Sequence, residues 1–423
     1  ELQYLDSIGW KQSKYEWAQI DQQLSRFKSH EKPSFVWNDN FGKAKADMIR
    51  EVSNWHLKTY KYDEIQSYID ALPKKDSHAG FSYLETGKKE KVEYVEELHL
   101  TLSNIISVAK RKGTFGRDML IGARTQTSAP YTDEGERKYE YKPKTRMVSM
   151  VDVYVIFAEI IFAKRLQTKM GTVPWYAGGK DDCQILNIIN HWRRFYRYWI
   201  SIDYSNYDAS LSSWLIRESF DIVRAAYDDA EWDEDLFKVI REDFINKVYF
   251  ISDTDRRKAS KGVPSGSMFT QIIDTIANML MVKTYLYAKG YDDHRMIIMG
   301  DDNLILTQAR INREDLSSYL ERNFGVICHK DKCDNGDMNS DPKFLSKTWR
   351  LDGVWRHPKI LLAKMTYPER YRDYKGTDLH PSMIVDSFIS SYPMPMAQII
   401  NMSKHRMLKK AAKDSVGNER WLS

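Results

Sequence analysis

Residues 295–307 read Arg295-Met-Ile-Ile-Met299-Gly300-Asp301-Asp302-Asn303-Leu-Ile-Leu-Thr307, and this stretch decides how the rest of the chain is interpreted. Two short apolar runs, Arg295–Met299 and Asn303–Thr307, flank a glycine and two aspartates. Runs of this length read as half-buried strands, and Gly-Asp between them favours a tight turn. The pattern predicts an antiparallel hairpin with a pair of carboxylates in its turn. Alone, an acidic turn of this kind is an ordinary solvated feature. Its setting is what gives it chemical meaning.

Working outward, the run Tyr198-Trp-Ile-Ser-Ile202 has strand character and ends at Asp203, with Asp208 shortly after. Two strand ends carrying carboxylates can converge on a pair of divalent cations. Two-metal phosphoryl transfer needs such a site: one ion activates an attacking 3′-hydroxyl, the other holds a triphosphate and its leaving pyrophosphate. Mg²⁺ suits the role because carboxylate oxygens are its preferred ligands and substrate phosphates fill the rest of its shell. Between the acidic elements lies Gly262-Val-Pro-Ser265-Gly266-Ser267, followed by Thr270 on a long apolar helix expected over Met268–Lys289. Gly266 permits a tight loop there, and the hydroxyls can reach a sugar or nearby backbone. Read in isolation, Ser265 or Ser267 is an ordinary helix cap.

Taken in order, these three motifs resemble those of the RNA-dependent RNA polymerases of viruses. Asp203-x4-Asp208 is similar to motif A of that family, Ser265-Gly266-x3-Thr270 to motif B, and Gly300-Asp301-Asp302 to motif C. The phrase Gly-Val-Pro-Ser-Gly-Ser-Met-Phe-Thr-Gln, together with Gly-Asp-Asp-Asn, looks most like the partitiviruses, with the picobirnaviruses next. Lys142-Pro-Lys144-Thr-Arg146 resembles motif F, and Arg124 matches its upstream basic position. Ser77-His-Ala-Gly80-Phe81 resembles motif G, Lys330 or Lys332 falls where motif D places its lysine, and Phe344-Leu345-Ser346 resembles motif E.

The resemblance implies an α+β right-hand polymerase fold with fingers, palm and thumb around an antiparallel palm sheet. It places an N-terminal region and fingers over 1–195, palm over 196–213, a fingers insertion over 214–261, palm again over 262–350, and thumb with the C-terminal region over 351–423. The implied activity is RNA-directed RNA synthesis that replicates and transcribes a segmented double-stranded RNA genome. Asp203, Asp301 and Asp302 would be catalytic, holding two Mg²⁺ ions (or Mn²⁺) together with the backbone carbonyl of Tyr204. Asp208, Ser265, Gly266, Thr270 and Asn278 would surround the ribose, and Arg124, Lys144 and Arg146 the triphosphate. Lys330 or Lys332 would protonate the pyrophosphate. The implied partners are RNA template, nascent RNA, ribonucleoside triphosphates and a capsid protein, without a membrane. The implied location is inside the virion and the host cytoplasm.

One position departs from the positive-strand members of the family, which carry Asn four residues after the motif B threonine. Here Asp274 stands there, and the nearest asparagine is Asn278, one helical turn on. A carboxylate cannot donate to Asp208 unless it is protonated. Ser265, Thr270 or Asn278 is therefore expected to hold Asp208, with Asp274 turned aside or paired to a base.

The rest of the chain is compatible with a large enzyme. Its 423 residues are 42% apolar and 29% charged, a globular balance that needs no disulfide staple. The net charge of +5 is small, so a polyanion site must come from local clustering, as in the five basic residues between Arg137 and Arg146. Cys183, Cys328 and Cys333 lack zinc or disulfide spacing, which fits a reducing compartment. No run reaches the length of a membrane span and no apolar leader opens the chain, so a secreted or membrane-spanning protein is not expected. The chain opens at Glu1 without methionine, so a natural start upstream is expected. Helices are expected over Trp10–Phe27, Ala44–Tyr60, Val92–Lys112, Val151–Leu166 and Leu211–Tyr227, with a polar arm or hairpin over Thr125–Thr145. Strands are few and scattered among helices, which gives an α+β class. Trp175, Trp192 and Trp199 read as core, and the basic run from Lys404 to Lys413 reads equally as a solvated face or an RNA-touching one. Two rivals remain: a reverse transcriptase, disfavoured by Gly300 and the motif B pattern, and a non-catalytic RNA-binding or capsid-associated protein, disfavoured by the intact aspartates.

Overall fold

The computed structural model describes residues 11–12, 16–27, 38–61, 72, 76–125, 127–128, 131–133, 136–140, 145–228, 232–328 and 333–356. Lys142, Lys144, Lys330, Lys332 and the basic run at 404–413 lie outside the described residues.

Most of the helices begin where the sequence supplies a side-chain cap. α1 (Trp17–Ser25) is followed by α2 (Asp39–Ser53), whose Asn38 side chain accepts from Phe41 N. α3 (Val95–Lys112) and α9 (Arg313–Phe324) end at Gly113 and Gly325, both left-handed. Asp152, Asp181, Ser212 and Asp233 cap α4 (Val153–Met170), α5 (Asp182–Trp192), α6 (Ser213–Ala225) and α7 (Glu234–Ile245). α4 and α8 (Thr270–Ala288) are buried on nearly every face, which is why neither shows a clean apolar stripe. α8 packs against α2, α6 and α9 and forms the spine of the molecule.

Two four-stranded sheets lie beside this spine. The first has the order β10-β11-β7-β12, from β7 (Tyr198–Ser201), β10 (His294–Met299), β11 (Asp302–Thr307) and β12 (Asp334–Asp337), antiparallel throughout. The second has the order β6-β2-β8-β9, from β2 (Met119–Thr125), β6 (Thr145–Met150), β8 (Lys247–Phe250) and β9 (Arg256–Ala259), with β2 and β8 parallel. The expected polar arm contains a short hairpin, β4 (Tyr131–Asp133) with β5 (Glu136–Glu140). A three-stranded meander, β13 (Lys343–Phe344), β14 (Lys347–Arg350) and β15 (Gly353–Trp355), follows the first sheet.

Two expectations are corrected. The helix expected from Trp10 begins at Trp17, because Lys11 and Gln12 form strand β1 against β3 (Thr127–Ser128). The strands of the acidic hairpin are buried on both faces rather than one. Ile298 and Ile305 join the main core, while Ile297, Leu304 and Leu306 join a second cluster with Trp192, Trp199 and Trp349 on the opposite face. Continuous apolar runs such as Met-Ile-Ile and Leu-Ile-Leu mark a strand covered on both sides. Trp175, Trp192 and Trp199 are all buried. Among the described residues no helix is long and apolar enough to cross a membrane.

Candidate active site

The acidic hairpin closes through the pair Met299–Asp302, leaving Gly300 and Asp301 as a two-residue turn. Gly300 sits at φ +65°, the left-handed conformation that such a turn needs in its first position. α8 holds the turn from below. Thr275 Oγ1 accepts from Gly300 N at 2.9 Å, and Asn278 Nδ2 donates to the carbonyls of Gly300 and Asp301 at 2.8 and 3.1 Å. Asn278 Oδ1 in turn accepts from the Tyr204 hydroxyl at 2.9 Å. One fully buried asparagine thus ties the hairpin to the strand that leads into Asp203.

β7 runs antiparallel to β11 with Ile200 opposite Ile305, and the ladder is extended by Ile202 N donating to Asn303 Oδ1 at 3.1 Å. Continued along both strands, this register brings Asp203 opposite Asp302. Past Asp203 the chain turns at Asn206, a non-glycine residue at φ +50°, whose carbonyl accepts from Ala209 and Ser210 N. That single turn carries Asp208, and Val263 N donates to the Asp208 carbonyl at 2.7 Å.

The loop 262–270 is seated on β6. Ser265 Oγ accepts from Ser149 N at 2.9 Å, and a side chain on Gly266 would come within 2.1 Å of the Ser149 carbonyl. Only glycine allows that approach. Thr270 Oγ1 donates back to the Pro264 and Ser267 carbonyls, closing the loop on itself. β6 also carries Arg146, directly across from Arg124 on β2, so both guanidinium groups leave the sheet on one face.

These walls enclose a cavity of about 590 Å³, lined among others by Arg146, Tyr204, Asp208, Ser265 and Asp301. Its electrostatics divide into an acidic floor and a basic wall. Burial pushes the Asp302 carboxyl up to about 7, helped by the charges of Asp301 and Asp203 and opposed by Arg146. Asp208 is pushed up to about 6, first by burial and then by Asp301, again against Arg146. Asp301 is raised chiefly by burial. Asp208 and Asp301 keep exposed surface, but it opens into the cavity rather than bulk water, so desolvation still dominates. Asp274, 5% exposed, is raised well above the ordinary carboxylate range by burial and by Asp208 and Asp301, and its Oδ1 has no hydrogen-bond partner.

Residues 10–368 match the family model described as viral RNA-dependent RNA polymerase. The chain belongs to this family. Among curated relatives, the genome polyprotein of Ljunganvirus 1 is 25% identical over 69% of this chain and 14% of its own length. The RNA-directed RNA polymerase of Cryptosporidium parvum virus 1 (strain KSU-1) is 31% identical over 35% of this chain and 28% of its own. That of Atkinsonella hypoxylon virus (isolate 2H) is 27% identical over 27% of this chain and 19% of its own. The chain therefore spans less than a third of the length of these relatives.

Within this chain, the structure brings Asp203, Asp301, Asp302, Asp208, Ser265 and Arg146 to one cavity region. Arg124 is exposed on the adjoining strand and is not part of the cavity lining. None of Ser265, Thr270 and Asn278 holds Asp208 as expected. Their hydrogen bonds go to Ser149, to the loop's own carbonyls, and to the acidic turn. Asp274 is neither turned aside to solvent nor paired to a base. The 77–81 segment docks against the head of α4: Val153 N donates to the Ala79 carbonyl, and Gly80, at φ +80°, lies so close that a side chain would come within 2.6 Å of Asp152 Cα. Sequence reasoning passed over α1, whose Gln19, Gln23 and Arg26 line the cavity wall, because its contacts lie more than a hundred residues away in the chain.

The donor chemistry fits Mg²⁺ or Mn²⁺. All the candidate ligands are oxygens, and carboxylates that raise one another's pKa gain from a cation between them. Among the described residues no three acidic, histidine or cysteine side chains converge closely enough to enclose an ion by themselves. A bound ion would complete its shell with backbone carbonyl, water or substrate phosphate.

Proposed function

We propose that this chain is the catalytic part of an RNA-directed RNA polymerase that replicates and transcribes the segmented double-stranded RNA genome of a partitivirus-like virus. The observation that carries the reading is the meeting of Asp203, Asp301 and Asp302 at one end of an antiparallel sheet, facing Arg146 across the cavity. On this reading the first sheet is the palm, the segments 1–195 and 214–261 are fingers, and 351–423 is the thumb with the C-terminal region.

Two Mg²⁺ ions, held by Asp203, Asp301, Asp302 and the Tyr204 carbonyl, would supply an activated 3′-hydroxyl and charge neutralisation at the leaving pyrophosphate. The chain's own residues do the rest. Arg146 offers a bidentate fork to phosphate oxygens, with Arg124 and Lys144 adding charge. Asp208 faces the ribose, Ser265 presents a hydroxyl at the same wall, and Asn278 holds the acidic turn rigid from beneath. Lys330 or Lys332 donates the proton to pyrophosphate. The partners on this reading are RNA template, nascent RNA, ribonucleotides and a capsid protein, and the site of action is the virion within the host cytoplasm.

Primer-independent synthesis on homopolymer and viral-like RNA templates, with ribo- and deoxynucleotides compared, tests the proposal. Ribonucleotide incorporation that depends on added Mg²⁺ and is lost in Asp301→Asn is expected. A folded protein that incorporates neither kind of nucleotide, or prefers deoxynucleotides, would overturn it.

A further inference from the structure

α1 and the residues just after it touch β6, the turn at Asn206 and Gly262 around the cavity. Two glutamines of α1 act on β6, an edge strand whose outer backbone groups have no neighbouring strand among the described residues. Gln23 Nε2 donates to the Thr145 carbonyl at 2.6 Å, Gln23 Oε1 accepts from Met147 N at 2.9 Å, and Gln19 Oε1 accepts from Thr145 N at 3.3 Å. Two side-chain amides thus do for this edge what a fifth strand would do, and they flank the residue between them, Arg146. One turn further on, Arg26 donates to Asn206 Oδ1. Phe27 then packs on Gly262 so closely that a side chain there would come within 2.7 Å of both its ring and the Asp208 carbonyl.

The contact at Asn206 bears on chemistry because of what that residue does. Asn206 adopts φ +50°, ψ +45°, and its carbonyl starts the single turn that presents Asp208. Its side chain is held at both ends, by Arg26 at Oδ1 and by donation from Nδ2 to Ser205 Oγ at 3.0 Å. A left-handed asparagine is an uncommon conformation that persists when its surroundings over-determine it. Arg26 meets an amide rather than a carboxylate, so the bond fixes geometry without cancelling charge in the acidic floor.

We propose that α1 is a specificity element of the nucleotide site, in which Arg26 is a positioning residue that acts through Asn206 to aim Asp208 at the sugar. The proposal rests on the reading of Asp208 as the ribose-facing carboxylate. It gives the N-terminal helix a role in the choice between ribo- and deoxynucleotides, and it couples that choice to the strand that carries Arg146.

The test compares kcat/KM for ATP and dATP in primed RNA synthesis by the full chain. The variants are Arg26→Ala, Arg26→Lys, Asn206→Gly, the Arg26→Ala/Asn206→Gly double variant, and Asp208→Ala. Asn206→Gly keeps the left-handed turn while removing the Oδ1 acceptor and the Nδ2 donor to Ser205, which guards against a folding failure. Arg26→Ala and Asn206→Gly are each expected to lower the ribo-to-deoxy ratio by about tenfold, the size of one charge-assisted hydrogen bond. The double variant should be no worse than either single, and Arg26→Lys should recover part of the ratio. Equal losses with both sugars in Arg26→Ala would make Arg26 a phosphate contact and overturn the proposal, as would multiplicative effects in the double variant. An unchanged ratio in Asp208→Ala would sink the underlying reading instead. A ratio that falls in Asp208→Ala but not in Arg26→Ala would sink the positioning role alone.

Discussion

Glu159 sits in the middle of α4, 2% exposed, and binds the loop at the head of α8 through both carboxyl oxygens, beside the bond from Gln167 Nε2 to the Met268 carbonyl. Its Oε1 accepts from Ser267 Oγ at 2.7 Å and its Oε2 from Met268 N at 2.8 Å. Burial raises its pKa from 4.5 to about 7, against the two hydrogen bonds and the charge of Lys91. The folded state therefore keeps this proton at pH values where the unfolded chain has lost it. Where the unfolded state binds fewer protons, stability falls as pH rises. The contribution is fully present below pH 4.5, declines by about 1.4 kcal/mol per pH unit, and is gone above about 7. Across that window the loss is about 3 kcal/mol.

Glu159→Gln removes the titration and keeps the shape. The amide oxygen still accepts from Met268 N, and the amide N–H₂ can donate to Ser267 Oγ, which already accepts from Phe269 N at 3.0 Å. Urea unfolding of both proteins, followed by tryptophan fluorescence at pH 5 and pH 8, isolates this group. Because pH 5 already lies inside the window, the native protein should lose about 2 to 3 kcal/mol relative to the glutamine variant between those pH values. A difference between the two proteins that is the same at both would refute the argument, and with it the view that a neutral Glu159 anchors the loop carrying Ser265 and Gly266.

Asp301→Asn should lower nucleotide incorporation by at least about a thousandfold without lowering the unfolding midpoint, because it relieves repulsion among clustered carboxylates. Near-normal elongation by a folded Asp301→Asn protein would remove Asp301 from the metal site. Arg146→Ala should lower kcat/KM for nucleotide about a hundredfold and move the acid limb of the pH–rate profile upward, since Arg146 holds down the pKa of Asp208, Asp301 and Asp302. An unchanged acid limb would place its charge elsewhere. Asp208→Ala should relax discrimination against deoxynucleotides more than Asp274→Ala does, read as the ratio of kcat/KM values. The reverse order would move the ribose contact to Asp274.

The fold was legible where one pattern sufficed locally. Gly113 after α3 and the Gly300–Asp301 turn each carry their own signal, and the elements there stand within a few residues of expectation, whereas the helix expected over Ala44–Tyr60 is α2, Asp39–Ser53, capped by Asn38. The second sheet was not legible. β8 and β9 are short and lysine- or arginine-rich, and Lys247 is buried only because four backbone carbonyls surround its ammonium. Nothing in Lys-Val-Tyr-Phe announces those carbonyls, since those of Lys261 and Gly262 arrive from a distant loop.

The site divides in the same way. The carboxylates were legible because motif order, not local propensity, identifies them. The hydrogen-bond partners of Asp208 were not, because a side chain's partner is set by which elements the core brings together. Asn278 illustrates the point: its spacing from Thr270 suggests the sugar, yet its side-chain hydrogen bonds run to Gly300, Asp301, Tyr204 and Asn303. That leaves Asp274 where an asparagine would donate, buried, unpartnered at Oδ1, and strongly biased toward its neutral form. A protonated carboxyl has the donor that a carboxylate lacks. Burial of Asp274 beside Asp208 and Asp301 therefore restores, through a pKa, the hydrogen-bonding capacity that the substitution of Asp for Asn removes. On this argument Asp274→Asn is the mild replacement and Asp274→Ala the disruptive one. Asp274→Asn should leave sugar discrimination near that of the native protein and raise stability at pH 8, where the native carboxyl is under the greatest pressure to ionise. A collapse of discrimination in Asp274→Asn, with Asp274→Ala unaffected, would show that the neutral donor has no part in the site.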